Sequence, residues 1–253
     1  MTSPVSRGSA VVAVVTLALL TACANKNPPR IAPVEEVLGN GWQCYAAPDE
    51  FKHAGVVVEV TRDGRYFVDS DHRDMALSGS SAIGNLEQTV TSSLGGVLSL
   101  LRSAGIVTNA TTTADLQRSV SVRAKYTGTT KYVISGQGVA EILKSYEGRS
   151  LPPASRYILF RESHSAQSID ILIERSAVAE LGIETTLDSL VDANTKLSRN
   201  GKTQYRLQDS FAEPLGVCAL PYELTVIRSA DGTTRLTMGA QVRLPPDVVI
   251  SQR

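Results

Sequence analysis

The chain has 253 residues, with 25 Lys and Arg against 25 Asp and Glu, and 42% of it is hydrophobic. A balance that even raises no strong field to gather nucleic acid or an anionic membrane surface, so nucleic acid is not expected as a partner. Three cysteines and three histidines bound the thiol and metal chemistry the chain can carry.

Residues 1–22 carry one charge, Arg7, then an uncharged apolar run from Ala10 to Leu20 and two small residues, Thr21 and Ala22. A cationic start, a short apolar core and a small-residue boundary predict a cleaved secretory signal peptide. The run is about half the roughly 20 residues that a membrane-spanning helix needs. Leu20-Thr21-Ala22-Cys23 resembles the lipobox of bacterial lipoproteins, and the resemblance ends at that cysteine. It implies cleavage between Ala22 and Cys23, a diacylglyceryl group on the Cys23 sulfur, and an acyl chain such as palmitate on the new amino group. The thiolate is the nucleophile that takes the lipid. Each buried CH₂ contributes about 0.8 kcal/mol, and stable anchoring needs more than one chain, a condition an acylated Cys23 meets. The resemblance further implies the bacterial cell envelope as location. Ala24, where Asp usually retains such proteins at the inner membrane, is compatible with an outer membrane facing the periplasm if the source has two membranes. The alternative is an ordinary secretory signal with a chance cysteine.

Residues 23–34 follow as a lipidated Cys and its tether: three prolines and several polar residues disfavour helix and give an extended leash. Glu35 to Arg253 is then expected to form one α+β domain. The chain beyond the signal loses Arg7 and no acid, leaving 24 basic against 25 acidic side chains. In an exported chain, Cys44 and Cys218 are a candidate disulfide. Such a bridge would close a long loop, stabilise by on the order of 5 kcal/mol in the chain-entropy description, and tie both ends of the domain together. The alternative is two buried free thiols.

Val56 to Val60 and Arg65 to Val68 flank Asp63-Gly64, the strongest short hairpin signal. The next periodic stretch, Ile83 to Ser103, repeats Leu86, Val90, Leu94, Val97, Leu98 and Leu101 at three- and four-residue steps. This predicts a long amphipathic helix with Gly95-Gly96 in its middle. Between Gln88 and Leu101 it carries no charge, so it reads as a core helix across the sheet or as a docking or lipid-inserting surface. Val120, Val122, Ala124 and Tyr126 alternate as in a strand, then a turn at Gly128 leads to Tyr132-Val133-Ile134. A second helix is predicted over Val139 to Glu147, ended by Gly148. Tyr157 to Phe160 and Ile169, Ile171 and Ile173 read as a further pair of strands. A third helix is predicted over Thr186 to Leu197, capped by Thr185 with Asp188 near its positive end. Tyr222 to Ile227 and Thr234 to Val242 form a last hairpin around Asp231-Gly232. The sum is a mainly antiparallel sheet of about seven to nine strands with about three helices, α+β rather than alternating α/β.

Chemical motifs are sparse. Gly201-Lys202-Thr203 lacks the earlier glycine of a phosphate loop, with Lys196 in its place. The acidic run Asp69 to Asp74 misses the calcium-loop positions and reads as a solvated loop. His53, His72 and His164 form no zinc-peptidase pair. Neither Cys44 nor Cys218 has a nearby histidine, so a thiol enzyme is not indicated. No catalytic residue, cofactor or metal is assigned. Three functions remain. The first is a non-catalytic envelope lipoprotein that binds or scaffolds a periplasmic protein partner. The second is an envelope hydrolase using carboxylates such as Glu162, Asp170 and Glu174, which needs a pair about 5 to 9 Å apart. The third is a small-ligand-binding lipoprotein, which needs an apolar pocket with convergent polar groups.

Overall fold

The computed structural model describes residues 38–79, 85–107, 114–191, 193–230, 233–245 and 248–253. The signal peptide, Cys23, the tether and the Asp231-Gly232 turn lie outside them. Among the described residues twelve strands and four helices follow one another. In chain order they are β1 (Gln43–Asp49), β2 (Val56–Val60), β3 (Tyr66–Asp71), β4 (Ala76–Ser78), β5 (Asn85–Ser93), α1 (Leu94–Ser103), β6 (Ser119–Thr127), β7 (Thr130–Ile134), α2 (Gly136–Lys144), β8 (Arg156–Glu174), α3 (Arg175–Glu180), α4 (Glu184–Leu190), β9 (Leu197–Asn200), β10 (Gln204–Arg228), β11 (Thr234–Gln241) and β12 (Ile250–Ser251). All strands join one sheet. Its pairings are antiparallel except the short parallel contact of β12 with β3.

Two long strands organise the rest. β8 has 19 residues and β10 has 25, and they pair from Tyr157↔Leu224 at one end to Glu174↔Gln204 at the other. Three shorter strands succeed one another along the outer side of β8: β2, then β7, then β6. Three more succeed one another along β10: β11, then β1, then β9. The sheet thus has three tiers on a shared two-strand spine. Register shifts in β10 at Ser210/Leu215, Gly216/Cys218 and Leu220/Pro221 fall in or beside the middle tier, where bulges let so long a strand bend. Cys44 and Cys218 are directly opposite on β1 and β10 and are joined in a disulfide, 174 positions apart in sequence.

The tiers are buried differently. In the first tier both faces are covered. One packs Val57, Tyr157, Leu159 and Leu224 against Ile142 and Tyr146, from α2 and the turn after it. The other packs Val56, Val58, Ile158 and Phe160 against Leu244, Val248 and Ile250. In the third tier only one face is covered by described residues. Leu86, Val90, Val122, Ala124, Ile169, Ile171, Ile173 and Leu207 meet α1, α3 and α4 there.

The structure corrects several expectations. Strands and helices are both more numerous, because most added strands are short edge pieces without a long period to read. Ile83 to Ser103 is not one helix: the described part is strand to Ser93 and helix from Leu94. Leu86 and Val90 satisfy a four-residue step and a two-residue alternation equally, and pairing of β5 with β6 decides between them. The Ser93 side chain accepts the Gly96 N–H at 2.9 Å and starts the helix there. Gly95 and Gly96 therefore lie in its first turn. A Cβ at Gly95 would come within 3.2 Å of the Leu116 carbonyl oxygen, whose hydrogen bond from the Gly95 N–H docks the chain before β6 onto the helix start.

The residues predicted as a strand pair, Tyr157–Phe160 and Ile169–Ile173, are two ends of one strand. β6 and β7 flank the Gly128 turn, at φ +64°, but do not pair with each other; each pairs with a different stretch of β8. The second helix begins earlier, at Gly136, because Ser135 caps it. The third is shorter: α4 stops at Leu190, Leu197 belongs to β9, and Thr185 lies inside the helix, behind an uncapped start at Ile183. Asp188 instead accepts from Arg175 and from the Tyr205 hydroxyl, each at 2.7 Å.

Candidate functional site

The uncovered face of the third tier is built by strand alternation. Where Tyr126, Ile169, Ile171 and Leu207 turn inward, their neighbours Lys125, Ser168, Asp170, Arg206 and Gln208 turn outward. Register aligns Lys125, Asp170 and Gln208 in one row and Arg123, Leu172 and Arg206 in the next. Glu87 of β5 extends the first row beyond Lys125. Lys125, Asp170, Arg206 and Gln208, with Thr127, Ser168, Lys196, Asp209 and Ser210, line an open depression of about 570 Å³. A second hollow of about 280 Å³ shares Lys125, Asp170 and Arg206 with it. The Asp170 carboxylate accepts two hydrogen bonds from Arg206, from Nε at 2.9 Å and from Nη2, a forked geometry that fixes both side chains. Those bonds hold the Arg206 guanidinium above its ordinary pKa. Lys196 Nζ meets Asp209 at 2.9 Å. Fixed charges, hydroxyls and an amide on a rigid sheet can hydrogen-bond a polar ligand.

The middle tier holds a buried polar row. Lys131 of β7, His164 of β8, Cys218 of β10 and Cys44 of β1 are successive cross-strand partners. Such partners share a face, with Cβ atoms about 4.5–5.5 Å apart. His164 is 2% exposed, and its ring lies 4.8 Å from the ring of Trp42, centroid to centroid. Lys131 Nζ stands 5.4 Å over the same Trp42 and pairs with Glu162 at 2.6 Å. Burial pushes the imidazole pKa down to about 4, helped by the Lys131 charge and opposed by Glu162. Its Nδ1 is buried without a hydrogen-bond partner among the described residues.

The positions singled out in the sequence fare unequally. Glu162, Asp170 and Glu174 lie on one extended strand. Asp170 is about 26 Å along it from Glu162 and about 13 Å from Glu174, at roughly 3.3 Å per residue. Each is engaged separately, by Lys131, by Arg206 and by the Gln204 amide. The structure does not bring them together as a pair. Asp69 to Asp71 finish strand β3 rather than float in a loop. Asp69 accepts the Tyr146 hydroxyl at 2.5 Å, and Asp71 pairs with Arg73. Among the described residues no group of three metal-type side chains converges. The expectation that neither cysteine has a histidine nearby is wrong in space. His164 is 54 positions from Cys218 in sequence and directly opposite it in the sheet. No spacing rule could have found that neighbour, because it depends on the register of two long strands.

No family model matches the chain, and no curated protein matches its sequence. Among solved structures it is similar to a bacterial gasdermin from Bradyrhizobium tropiciagri. The identity is 13% and the TM-score 0.43, with 86% of this chain and 95% of that one covered.

Proposed function

We propose that the chain is an envelope lipoprotein, held to a bilayer through acylated Cys23, whose domain binds a polar partner on the open face of the third tier. The observation that carries the export half is the Cys44–Cys218 disulfide, since such bonds persist in oxidising compartments outside the cytosol. The binding half is supported by the row of Lys125, Asp170 and Gln208 on a sheet whose reverse side is packed. A carboxylate that Arg206 grips with two hydrogen bonds is suited to presenting a fixed charge pattern, and less to exchanging protons. A periplasmic protein offering complementary charges and amides is the proposed partner. The lining is polar and open, whereas the small-ligand reading needs an apolar pocket with convergent polar groups.

The test is recovery of partners from the native envelope with the lipidated full chain. One stoichiometric envelope partner, lost on Lys125→Glu with Arg206→Ala while the fold is retained, supports the reading. Turnover of an envelope substrate by the purified chain overturns it in favour of a hydrolase.

A further inference from the structure

We infer that the Cys44–Cys218 disulfide is a thiol–disulfide exchange site in which His164 serves as the hydrogen-bond partner of the Cys218 sulfur. The inference stands apart from the lipid anchor and from the polar face. Three observations converge on it. Cys44 is half-buried while Cys218 is fully buried, which makes Cys44 the more accessible half of the bond and Cys218 the departing group. His164 lies directly opposite Cys218 on the same face. Its Nδ1, in a residue only 2% exposed, has no partner among the described residues while the disulfide is intact. A disulfide sulfur donates no hydrogen bond and is a poor acceptor, whereas a thiol donates and a thiolate accepts. Reduction therefore gives the orphaned nitrogen the partner it lacks.

The step balances with a dithiol as reductant. One of its sulfurs, as thiolate, bonds to Cys44 Sγ. The Sγ–Sγ bond breaks, and its electron pair stays on Cys218 Sγ, which receives a hydrogen bond from the neutral imidazole and faces the Lys131 charge in the same row. The second sulfur of the dithiol then attacks the mixed disulfide and releases Cys44. Two electrons and two protons pass to the protein, and the reductant closes into its own disulfide. In the reverse direction the Cys218 thiol gives its proton to solvent, and the thiolate, held by the same imidazole N–H, attacks Cys44 Sγ in the mixed disulfide. The charged or titratable groups facing the ring are Lys131 from β7, Glu162 from its own strand, and Cys218 with Cys44 beyond it.

The experiment equilibrates the folded full chain in glutathione and dithiothreitol buffers, traps thiols by alkylation and maps them by mass. Trp42, the sole tryptophan, reports the same cluster by fluorescence. The wild type is expected to reduce without denaturant, with the mixed glutathione adduct on Cys44. His164→Phe, which keeps a ring against Trp42 but no nitrogen, should shift the equilibrium toward the disulfide by about tenfold, the scale of one buried polar group left unpaired. Should that variant fail to fold, ring-nitrogen chemical shifts in the wild type decide. His164 should titrate at a different pH in the reduced and the oxidised protein, because only the Cys218 thiol offers Nδ1 a hydrogen bond. Reduction that occurs only on unfolding, an adduct on Cys218, an unshifted equilibrium in His164→Phe, or identical His164 titrations in the two redox states would each overturn the assignment.

Discussion

The two ends of β8 belong to one strand but are buried by different rules. From Tyr157 to Phe160 every residue is buried, because the first tier is covered on both faces. From Ile169 to Ile173 burial alternates: three isoleucines are inside, and Asp170 and Leu172 are only partly covered. A continuous apolar run and a strict alternation are the two sequence signatures of a sheet covered twice and a sheet covered once. The difference teaches where function can sit. The first tier has spent both faces on stability, and the third has one face left to meet a partner.

Matched truncations should break this symmetry most visibly. Phe160→Ala removes a ring from a doubly covered tier and should cost about 3–5 kcal/mol in denaturant melts. Leu172→Ala, on the open face of the same strand, should cost under about 1 kcal/mol. Similar costs at both positions would mean that the third tier is covered by something else.

His164, midway between the two ends, makes the next largest prediction. Its folded pKa of about 4 lies below its ordinary value of 6.5, so the unfolded chain takes up the proton first as pH falls. Its contribution is intact above pH 6.5, declines between 6.5 and 4, and levels off below. Within that window one site imposes a slope of roughly 1.4 kcal/mol per pH unit. Urea titrations of the wild type should show that slope, and His164→Phe should flatten it.

A smaller effect, of opposite sign, sharpens the covered side of the third tier. Gln88 is fully buried, and neither its amide oxygen nor its nitrogen has a partner among the described residues. Gln88→Leu should raise stability by about 1–2 kcal/mol, since an unpaired buried amide gives way to a side chain of similar size. Destabilisation would show that the amide is satisfied in solution, for example by a trapped water. Arg206→Ala should be the mildest, about 0.5 kcal/mol or less in melts, because the pair it breaks is partly solvated. Its effect should instead appear in partner recovery.

What the sequence made legible follows the reach of its signals. The hairpin around Gly64, at φ +78°, is local: two residues of turn chemistry set it, and β2 pairs with β3 as expected. Helix starts were harder, because Ser93 and Ser135 cap by a hydroxyl that many unused serines also carry. The long range was illegible. Nothing in Tyr157–Phe160 or Ile169–Ile173 says that Arg161 to Ser168 continues the strand, since that stretch is polar and is held extended by neighbours on both sides. The polar face followed from the same alternation that revealed the core, but its strand order was hidden. The row of Lys131, His164, Cys218 and Cys44 draws on four strands, and only their registers assemble it.

The most direct test of the central claim, an exported domain lipidated at one cysteine and clamped by the other two, is the intact mass of the mature chain extracted from membranes without reductant. The account predicts a polypeptide that starts at Cys23, carries a diacylglyceryl group and an amino-terminal acyl chain, and lacks the pair of hydrogens removed by a Cys44–Cys218 bond. A chain whose Cys23 sulfur is bare, or whose Cys44 and Cys218 both take up an alkylating reagent in the native state, would contradict it.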